Sequence, residues 1–499
     1  MGRRNPQRFD FATILIDHES AQPLYRQLED QLRDAILQGR IAPGERLPAT
    51  RRLSGDLHVG RNTVSQSYER LIAEGYLQAE IGSGTRVSTE LPETLLNRPQ
   101  ARKKKENKTQ RDGALLSQRG KQMFEFGDWN QLGIKPPRPF RPHVPALDLF
   151  PRHIWQRLSE RRLRRLSRDL WGTGDSQGYR PLRQAIADYL KISRGVNCCS
   201  DQILITAGAQ QGLELVSRLL LDPGDTAWIE EPGYTPARLV FELNGARVVS
   251  IPVDEEGLIV SEGVRQKANA RLAYITPGSH WPLGMTMSLS RRLELLNWAQ
   301  HHSGWILEDD YNSEFRYDGR PLPSIQGLDQ HESVLYMGTF SKVLFPGLRL
   351  GYLVIPAKLV NAFVGARWLA DRHSPPFEQA VLTDFIEEGH FERHVRKMRT
   401  SYASRQAALS EAIRQNFGDE VHFSRTETGL QLVVYGANEK KEAKLRRSAD
   451  QLEIEYHPVS FYASPGTNPA GMILGFAAFT EEQIENTIRS WAMNYLKRA

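Results

Sequence analysis

The chain has 499 residues, 40% of them hydrophobic and 25% charged, which is enough for two or three domains that each bury a core. The only two cysteines, Cys198 and Cys199, are adjacent in sequence, which excludes a disulfide framework and fits a reducing cytoplasm. No apolar run is long enough to span a membrane and no secretory signal follows Met1, so we expect a cytoplasmic protein without a membrane partner. The net charge of +6 does not by itself indicate nucleic-acid binding.

The chain has three regions with different sequence patterns. Residues 14–90 carry helix patterns, 91–137 lacks periodicity, and 138–499 alternates short apolar runs with amphipathic helices. Within the second region, residues 98–111 hold seven basic side chains against the single acid Glu106. Such a segment repels itself and has too few apolar residues to fold. We therefore predict a basic, flexible linker over 91–137 between a helical domain and an α/β domain with a mainly parallel sheet.

The first region has the pattern of three short helices followed by a β-hairpin. Apolar residues recur every four positions over residues 24–36, a second helix follows the turn at 47–48, and a third covers about 62–74. Alternation over 76–81, a glycine-rich turn at 82–84 and a returning strand predict the hairpin. This order is that of a winged helix-turn-helix.

The N-terminal end of the third helix is the part of such a domain that enters the major groove of double-stranded DNA. Arg61, Asn62, Thr63 and Ser65 stand at that end, and all four can hydrogen-bond to bases or phosphates. The pattern alone also fits a small helical domain whose arginines are solvated.

A resemblance favours the DNA-binding interpretation. The strings at residues 47–51 (LPATR), 59–64 (VGRNTV), 71–76 (LIAEGY) and 82–85 (GSGT) are similar to the DNA-binding domain of the GntR superfamily. The resemblance implies DNA contacts by Arg51, Arg61, Asn62 and Thr63, and a wing tip at Gly84 that enters the minor groove. Family members usually have Ser or Thr where this chain has Gly60, so either a contact to DNA is missing or the helix uses a glycine cap.

Polar segments follow several apparent strands of the third region, and all of them would project from the carboxyl edge of one sheet, where open α/β folds bind ligands. They are residues 207–211, 230–234, 308–311 and 338–342, with Arg349 shortly after. A glycine turn at a helix start suits a phosphate. A carboxylate at the end of a buried strand can face a pyridinium nitrogen, and a lysine flanked by hydroxyls suits a Schiff base.

Each of these features also has an ordinary explanation. Asp309 and Asp310 could be a helix N-cap or metal ligands, Tyr234 could be a core aromatic, and Lys342 could be a surface lysine. Their order and placement along the chain favour a cofactor site, and we expect no metal.

The stretch from about residue 178 to residue 478 resembles fold-type I aminotransferases, and most closely the MocR-type regulators, which join a GntR head to such a domain. The supporting strings lie at residues 178–183 (GYRPLR), 206–211 (TAGAQQ), 231–234 (EPGY), 308–315 (EDDYNSEF) and 336–342 (YMGTFSK). The resemblance implies pyridoxal 5'-phosphate bound as a Schiff base to Lys342, with Asp309 on the pyridine nitrogen, Tyr311 on the ring hydroxyl and Tyr234 stacked on the ring. It places the phosphate among six residues: Gly208, Ala209, Gln210, Thr339, Ser341 and Arg349.

Two departures from the aminotransferase pattern bear on function. The block at residues 276–281 reads TPGSHW, which leaves open the side chain nearest the ring hydroxyl. The arginine that clamps the substrate carboxylate falls at Ile473 in our alignment, so the usual clamp for an α-amino acid is expected to be absent.

The leading interpretation is a transcription regulator that binds specific double-stranded DNA as a homodimer and senses either pyridoxal phosphate itself or an amino compound. The alternative is an active aminotransferase with a DNA-binding head, which the missing arginine disfavours. A third class, a cofactor-free interaction module, is hard to reconcile with Lys342, Asp309 and Tyr311.

Overall fold

A computed structural model of the chain describes residues 9–80, 84–89, 91, 116–125, 138–164, 168–317, 322–424 and 426–497. The chain divides into two compact units, Met1–Leu116 and Ser117–Ala499. No helix in the described ranges is both long enough and apolar enough to cross a bilayer.

The first unit is a winged helix-turn-helix. Its elements are α1 (Leu24–Leu37), α2 (Thr50–Asp56), α3 (Arg61–Ala73), β1 (Leu77–Glu80) and β2 (Gly84–Val87). The four-residue spacing in α1 puts Leu28, Leu32 and Ile36 on one buried face, where they join Val64 and Leu71 of α3 in a single core. The predicted helices and hairpin of this region are thus confirmed.

The second unit contains a large mixed sheet between layers of helices. Its first elements are α4 (Gln118–Glu125), α5 (Arg152–Arg164), α6 (Arg168–Trp171), α7 (Arg180–Ser193), β3 (Ile203–Thr206), α8 (Ala209–Leu220), β4 (Thr226–Glu231), α9 (Thr235–Leu243), β5 (Arg247–Asp254), β6 (Gly257–Leu258), α10 (Val260–Lys267) and β7 (Leu272–Ile275). They continue with α11 (Leu289–His302), β8 (Trp305–Asp310), α12 (Ile325–Leu328), β9 (Val334–Thr339), β10 (Gly351–Val354), α13 (Val360–Asp371), α14 (Pro376–Glu387) and α15 (His390–Phe417).

The eight strands of this sheet run in the order β3-β10-β9-β8-β7-β4-β5-β6. Neighbours from β9 to β5 are parallel, whereas β10 is antiparallel to both β3 and β9, and β6 is antiparallel to β5. Side chains alternate between the two faces: Leu204 packs with Leu213 and Phe241 of the helices on one face, while Ile203 and Ile205 belong to the core on the other. The predicted α/β fold with a mainly parallel sheet is confirmed.

A smaller antiparallel sheet completes the second unit. It comprises β11 (Val421–Phe423), β12 (Gln431–Gly436), β13 (His457–Pro458) and β14 (Met472–Gly475), in the order β11-β12-β14-β13, with helices α16 (Glu439–Gln451) and α17 (Glu481–Leu496). Residues of this sheet and of α15 and α17 share one core with the outer strands of the large sheet.

Helix α4 lies inside residues 91–137, which the sequence predicts as a linker without structure. Its run of Gln, Arg, Lys, Met and Glu has high intrinsic helix propensity, and this outweighs the helix-breaking effect of Gly120. The basic run at 98–111 lies outside the described residues. The flexible linker therefore stays a prediction for the rest of that region.

Candidate cofactor site and DNA-binding surface

A cavity of about 700 Å³ opens at the carboxyl edge of the large sheet. Strands β3, β4, β7, β8 and β9 all end at this edge because they run in the same direction. Nine of the ten residues predicted for the cofactor line it: Ala209, Gln210, Tyr234, Asp309, Tyr311, Thr339, Ser341, Lys342 and Arg349. The tenth, Gly208, adjoins Arg349. The structure thus brings the predicted set together, while the role of each residue stays a prediction.

The phosphate end of the predicted site is formed by the turn at Gly208 and the start of β10, which touch. Gly208 has a φ of +95° and caps helix α8, whose first turn leaves backbone N–H groups without partners in the helix. A Cβ on Gly351 would lie 3.0 Å from Cα of Gly208, so the turn at Gly208 and the start of β10 are in backbone contact. Arg349 lies against the same turn and donates from Nη2 to the carbonyl of Ala207 over 2.9 Å. A helix start beside a guanidinium is suited to an anion.

Four buried polar atoms of the cavity wall have no hydrogen-bond partner among the described residues. They are Oδ1 of Asp309, the hydroxyl oxygen of Ser341, the hydroxyl oxygen of Tyr311 and Nε1 of Trp281. An unpartnered polar atom in a protein interior has a large desolvation cost unless a ligand or water satisfies it. Pyridoxal phosphate would place a protonated ring nitrogen near the first atom and phosphate oxygens near the second. The residues present therefore fit this cofactor.

Asp309 lies at the end of β8 with only 5% of its surface exposed. Its second oxygen, Oδ2, accepts a 2.7 Å hydrogen bond from the hydroxyl of Tyr274. Burial raises the pKa of Asp309 to about 7, and this rise prevails over the opposing effect of the Tyr274 bond. A cation opposite the carboxylate would return its pKa toward the usual range.

Lys342 follows β9 and faces the same cavity. Burial, and then the nearby charge of Arg349, lower the pKa of Lys342 to about 8. An amine with such a pKa is a better nucleophile at neutral pH than an exposed lysine. Its ammonium group donates a 3.1 Å hydrogen bond to the backbone carbonyl of His143.

Aromatic side chains form the remaining walls. The rings of Tyr234 and Tyr274 are nearly parallel, with centroids 6.5 Å apart, and Tyr234 lines the cavity as predicted. Trp281 meets Tyr311 edge to face at 6.2 Å and lies 4.0 Å from the imidazole of His143. The site can therefore hold a flat ring between aromatic and apolar surfaces.

Sequence reasoning missed several residues of the cavity wall. Tyr274 and Trp281 come from β7 and the loop after it, His143 and Arg141 from the segment before α5, and His457 from β13. Tyr274 stands one residue before the end of an apolar strand, a position that could have indicated it. Nothing in the local sequence around His143 or His457 indicates a site.

Ile473, the position aligned with the missing arginine, lies in β14 and is fully buried. It packs in one cluster with Trp281, Val433, Val459 and Tyr462. Position 473 therefore belongs to an apolar cluster that reaches the cavity through Trp281. The arginines that line the cavity are Arg349 and Arg141, and Arg141 is paired with Glu455 at 2.7 Å.

In the first unit, α3 begins at Arg61, and both Arg61 and Asn62 are exposed at its N-terminal end. Arg51 is exposed in the first turn of α2, while Thr63 and Ser65 are half-buried. Gly60 is the N-cap, with extended backbone, and its carbonyl accepts from the N–H of Thr63. Gly60 is thus the cap residue of α3, and the missing contact to DNA stays a prediction.

The wing is the antiparallel pair β1–β2, in which Glu80 faces Gly84. Gly84 has a φ of +93°, a backbone conformation that favours glycine. The other two residues of the predicted turn, Gly82 and Ser83, lie outside the described residues. The DNA contacts predicted for Gly84 and the helix residues stay predictions.

Comparison with known families agrees with both halves of the chain. The family described as aminotransferase class I and II matches residues 146–490, and the family described as bacterial regulatory proteins, gntR family, matches residues 24–87. The matches lie within the predicted domains 138–499 and 14–90, whose exact boundaries stay predictions.

Individual proteins are similar over most of the chain. The probable rhizopine catabolism regulatory protein MocR of Rhizobium meliloti is 37% identical over 97% of this chain and 96% of its own. The HTH-type pyridoxine biosynthesis transcriptional regulator PdxR of Corynebacterium glutamicum is 29% identical over 81% of this chain and 82% of its own. The structure of kynurenine aminotransferase from Pyrococcus horikoshii, a complex with PMP, is 25% identical, with a TM-score of 0.70 over 79% of this chain and 99% of that chain.

Proposed function

The chain belongs to the MocR-type transcriptional regulators, in which a gntR-family DNA-binding domain is joined to an aminotransferase class I and II domain, and from this premise we propose that it controls transcription in response to a small molecule bound through pyridoxal phosphate on Lys342. The effector is pyridoxal phosphate itself or an amino compound that reacts with it. The regulator acts as a homodimer in the cytoplasm on a specific double-stranded DNA site.

The observation that carries the cofactor proposal is that two buried atoms, Oδ1 of Asp309 and the hydroxyl oxygen of Ser341, have no hydrogen-bond partner in the described part of the chain. Asp309 would hold the ring nitrogen, Tyr311 the ring hydroxyl, and Ser341, Arg349 and the start of α8 the phosphate. Bound pyridoxal phosphate supplies an aldehyde that forms a C=N bond with an amine. The lowered pKa of Lys342 makes its amine available for that bond near neutral pH.

Sensing, and not turnover, is favoured by the residue at position 473. An aminotransferase holds the substrate carboxylate by a bidentate arginine, and charge-assisted bonds of this kind contribute about 1.5–3 kcal/mol each. Here the aligned position is a fully buried isoleucine in an apolar cluster. An α-amino acid would therefore lack the contact that orients its Cα–H for proton removal.

The amino compound is a candidate effector because a cavity of about 700 Å³ has room for a small amine beside the cofactor. Pyridoxal phosphate itself is a candidate because a relative over most of the chain is named for pyridoxine biosynthesis. A single winged helix buries little DNA surface, so we expect two heads in a homodimer to be needed for tight binding.

The visible spectrum of the purified protein tests this proposal. We expect a yellow chromophore that Lys342→Ala abolishes, with borohydride reduction and peptide mapping placing the cofactor on Lys342. Candidate amines and added pyridoxal phosphate are then compared for their effect on DNA affinity. A colourless protein that does not take up pyridoxal phosphate would refute the cofactor site, and efficient turnover of a common amino acid with a keto acid would favour an aminotransferase instead.

A further inference from the structure

Residues 138–146, here called the connecting segment, follow the predicted linker and lie within the second unit. Two of its non-glycine residues, Phe140 and His143, have left-handed φ angles of +70° and +69°. Bulky L-residues rarely adopt this conformation, and it persists only where the surroundings hold it in place. The course of the connecting segment is thus imposed by its contacts.

Both ends of the connecting segment are anchored in the second unit. The side chain of Phe140 is fully buried, and its carbonyl accepts a 2.8 Å hydrogen bond from the backbone of Gly475 in β14. Glu455 donates from its backbone N–H to the carbonyl of Pro139 over 3.0 Å. At the other end, the N–H of Ala146 donates to the hydroxyl of Tyr402.

The middle of the connecting segment lies on the cavity, where Arg141, Pro142, His143 and Val144 form part of the wall. There the ammonium group of Lys342 donates its 3.1 Å hydrogen bond to the carbonyl of His143. The lysine predicted to hold the cofactor is therefore bonded directly to a residue with a left-handed backbone.

Attachment of the cofactor changes what Lys342 can donate. An ammonium group has three N–H donors. When it reacts with an aldehyde, two of these protons leave with the aldehyde oxygen as water, a C=N bond replaces the C=O bond, and the nitrogen keeps one proton at most. With at most one proton left, which the cofactor itself would compete for, the nitrogen would no longer donate to the His143 carbonyl, and the left-handed backbone there would lose one of its supports.

We propose that attachment of pyridoxal phosphate to Lys342 releases the connecting segment by removing the hydrogen bond to the His143 carbonyl, and that this release carries the state of the site into the linker and the DNA-binding domain. The inference rests on the proposed function, since it needs a cofactor on Lys342. It assigns to Lys342 a second role, as the group through which the connecting segment is held.

One ligand and one pair of variants distinguish the effect of filling the cavity from the effect of removing the Lys342 hydrogen bond. Pyridoxine 5'-phosphate has the ring and the phosphate but no aldehyde, so it fills the site and leaves the Lys342 ammonium free. Two variants provide a matched pair: Lys342→Met has a similar length and no N–H, whereas Lys342→Arg keeps N–H donors, and neither forms a C=N bond with pyridoxal phosphate. Thermal melting and pyridoxine 5'-phosphate binding verify that both variants are folded.

The first readout is amide hydrogen exchange of residues 138–147 in the full-length protein. In the wild type we expect pyridoxal phosphate to speed this exchange about fivefold or more, and pyridoxine 5'-phosphate to leave it unchanged. Lys342→Met should exchange fast, and Lys342→Arg slowly, each with or without pyridoxal phosphate. Equal effects of the two ligands on the wild type, or slow exchange in Lys342→Met, would overturn the proposal.

The second readout is affinity for the DNA upstream of the protein's own gene. We expect one DNA affinity for the samples without the hydrogen bond to His143, which are wild type with pyridoxal phosphate and Lys342→Met. We expect a different affinity for the samples that keep it, which are cofactor-free wild type and Lys342→Arg. Identical affinity in all four samples would refute transmission to the DNA-binding domain. If the wild type forms no yellow chromophore, the proposed cofactor fails instead, and the comparison of Lys342→Met with Lys342→Arg still shows whether the lysine holds the segment.

Discussion

The hydroxyl of Tyr274 donates a 2.7 Å hydrogen bond to Oδ2 of Asp309 and leaves Oδ1 of the same carboxylate without a partner among the described residues. One oxygen is thus fixed by the protein and the other faces the cavity. This hydrogen bond lowers the pKa of Asp309 against the larger opposite effect of burial. Tyr274 therefore helps to keep Asp309 ionised in the form that pairs with a ring cation.

Tyr274→Phe should weaken cofactor binding. Without the hydroxyl, the pKa of Asp309 rises above its present value of about 7, so less of the carboxylate is ionised at neutral pH. We expect the Kd for pyridoxal phosphate to increase about tenfold near pH 7, as the loss of one hydrogen bond to a charged group implies. Absorbance titrations between pH 6 and pH 8 measure the effect. Tyr234→Phe is the matched control, and an equal loss in that variant would argue against a specific role for Tyr274.

Asp309→Asn should stabilise the cofactor-free protein at alkaline pH. The folded pKa of Asp309, about 7, is raised above an unfolded value of about 3.9, so between these values the folded state binds more protons and stability falls as pH rises. The asparagine variant has no carboxyl to deprotonate, so it avoids this decrease in the free energy of unfolding, which amounts to no more than about 4 kcal/mol above pH 7. Urea unfolding at pH 5 and pH 8 measures it. An advantage of the variant that does not grow with pH would contradict the assignment, and the variant should bind pyridoxal phosphate weakly.

Arg349→Gln should shift the pH dependence of lysine modification. The charge of Arg349 contributes to the lowered pKa of Lys342, about 8, and its removal should raise that pKa. Because only the neutral amine is nucleophilic, the rate of C=N formation should increase with pH and reach half its maximum near pH 8 in the wild type. Pyridoxal without phosphate is the reagent, since its binding does not depend on the phosphate contacts of Arg349. An unchanged midpoint in Arg349→Gln would show that the two charges do not interact.

Arg51→Ala and Arg61→Ala should each weaken DNA binding. If either arginine contacts a guanine, the cost is about 1–3 kcal/mol with relaxed preference at that base pair. If it contacts phosphate only, affinity falls on all sequences and the slope of log affinity against log salt decreases by about 0.9. Arg52→Ala is the control, because Arg52 lies on the same helix, is 80% exposed and is paired with Asp56. Wild-type affinity of the Arg51 and Arg61 double variant, measured by anisotropy, would place the DNA-reading surface elsewhere.

Gly60→Ser should stabilise the DNA-binding domain. Gly60 has a φ of −63° and a ψ of 144°, which serine adopts readily, and an added Cβ would lie 3.6 Å from the hydroxyl oxygen of Thr63, an ordinary contact. The serine oxygen can accept from the N–H of Thr63, which should raise stability by a few tenths of a kcal/mol, whereas Gly60→Ala lacks this acceptor and should lower it. Thermal melting of both variants distinguishes them. Equal melting temperatures would show that the cap does not form.

The fold of the first unit could be predicted from the sequence because the patterns that indicate it are local. The third helix was predicted over about residues 62–74 and is observed over Arg61–Ala73. Apolar spacing and glycine turns are properties of neighbouring residues, so they survive without knowledge of the tertiary fold. The residues predicted for the cofactor could be brought together for a related reason: most of them stand at the end of a strand or shortly after it, and parallel strands end at one edge.

The connecting segment was not accessible in this way. The position of His143 at the cavity depends on Phe140, whose side chain is buried. The carbonyl of Phe140 accepts a hydrogen bond from the backbone of Gly475, more than three hundred residues later in the sequence. Such contacts join distant parts of the chain and leave no periodic signal near residue 143. The antiparallel direction of β10 also depends on its tertiary pairing with β3 and β9.

The cofactor seat and the aligned clamp position belong to different sheets. Asp309, Thr339 and the turn at Gly208 are built on strands of the eight-stranded sheet, whereas Ile473 lies in β14 of the four-stranded sheet. A change at one position can therefore abolish an activity without disturbing the backbone that seats the cofactor. Placing an arginine at position 473 would therefore require the smaller sheet to be rebuilt around a buried charge, while the strands that carry Asp309 and Thr339 could stay as they are.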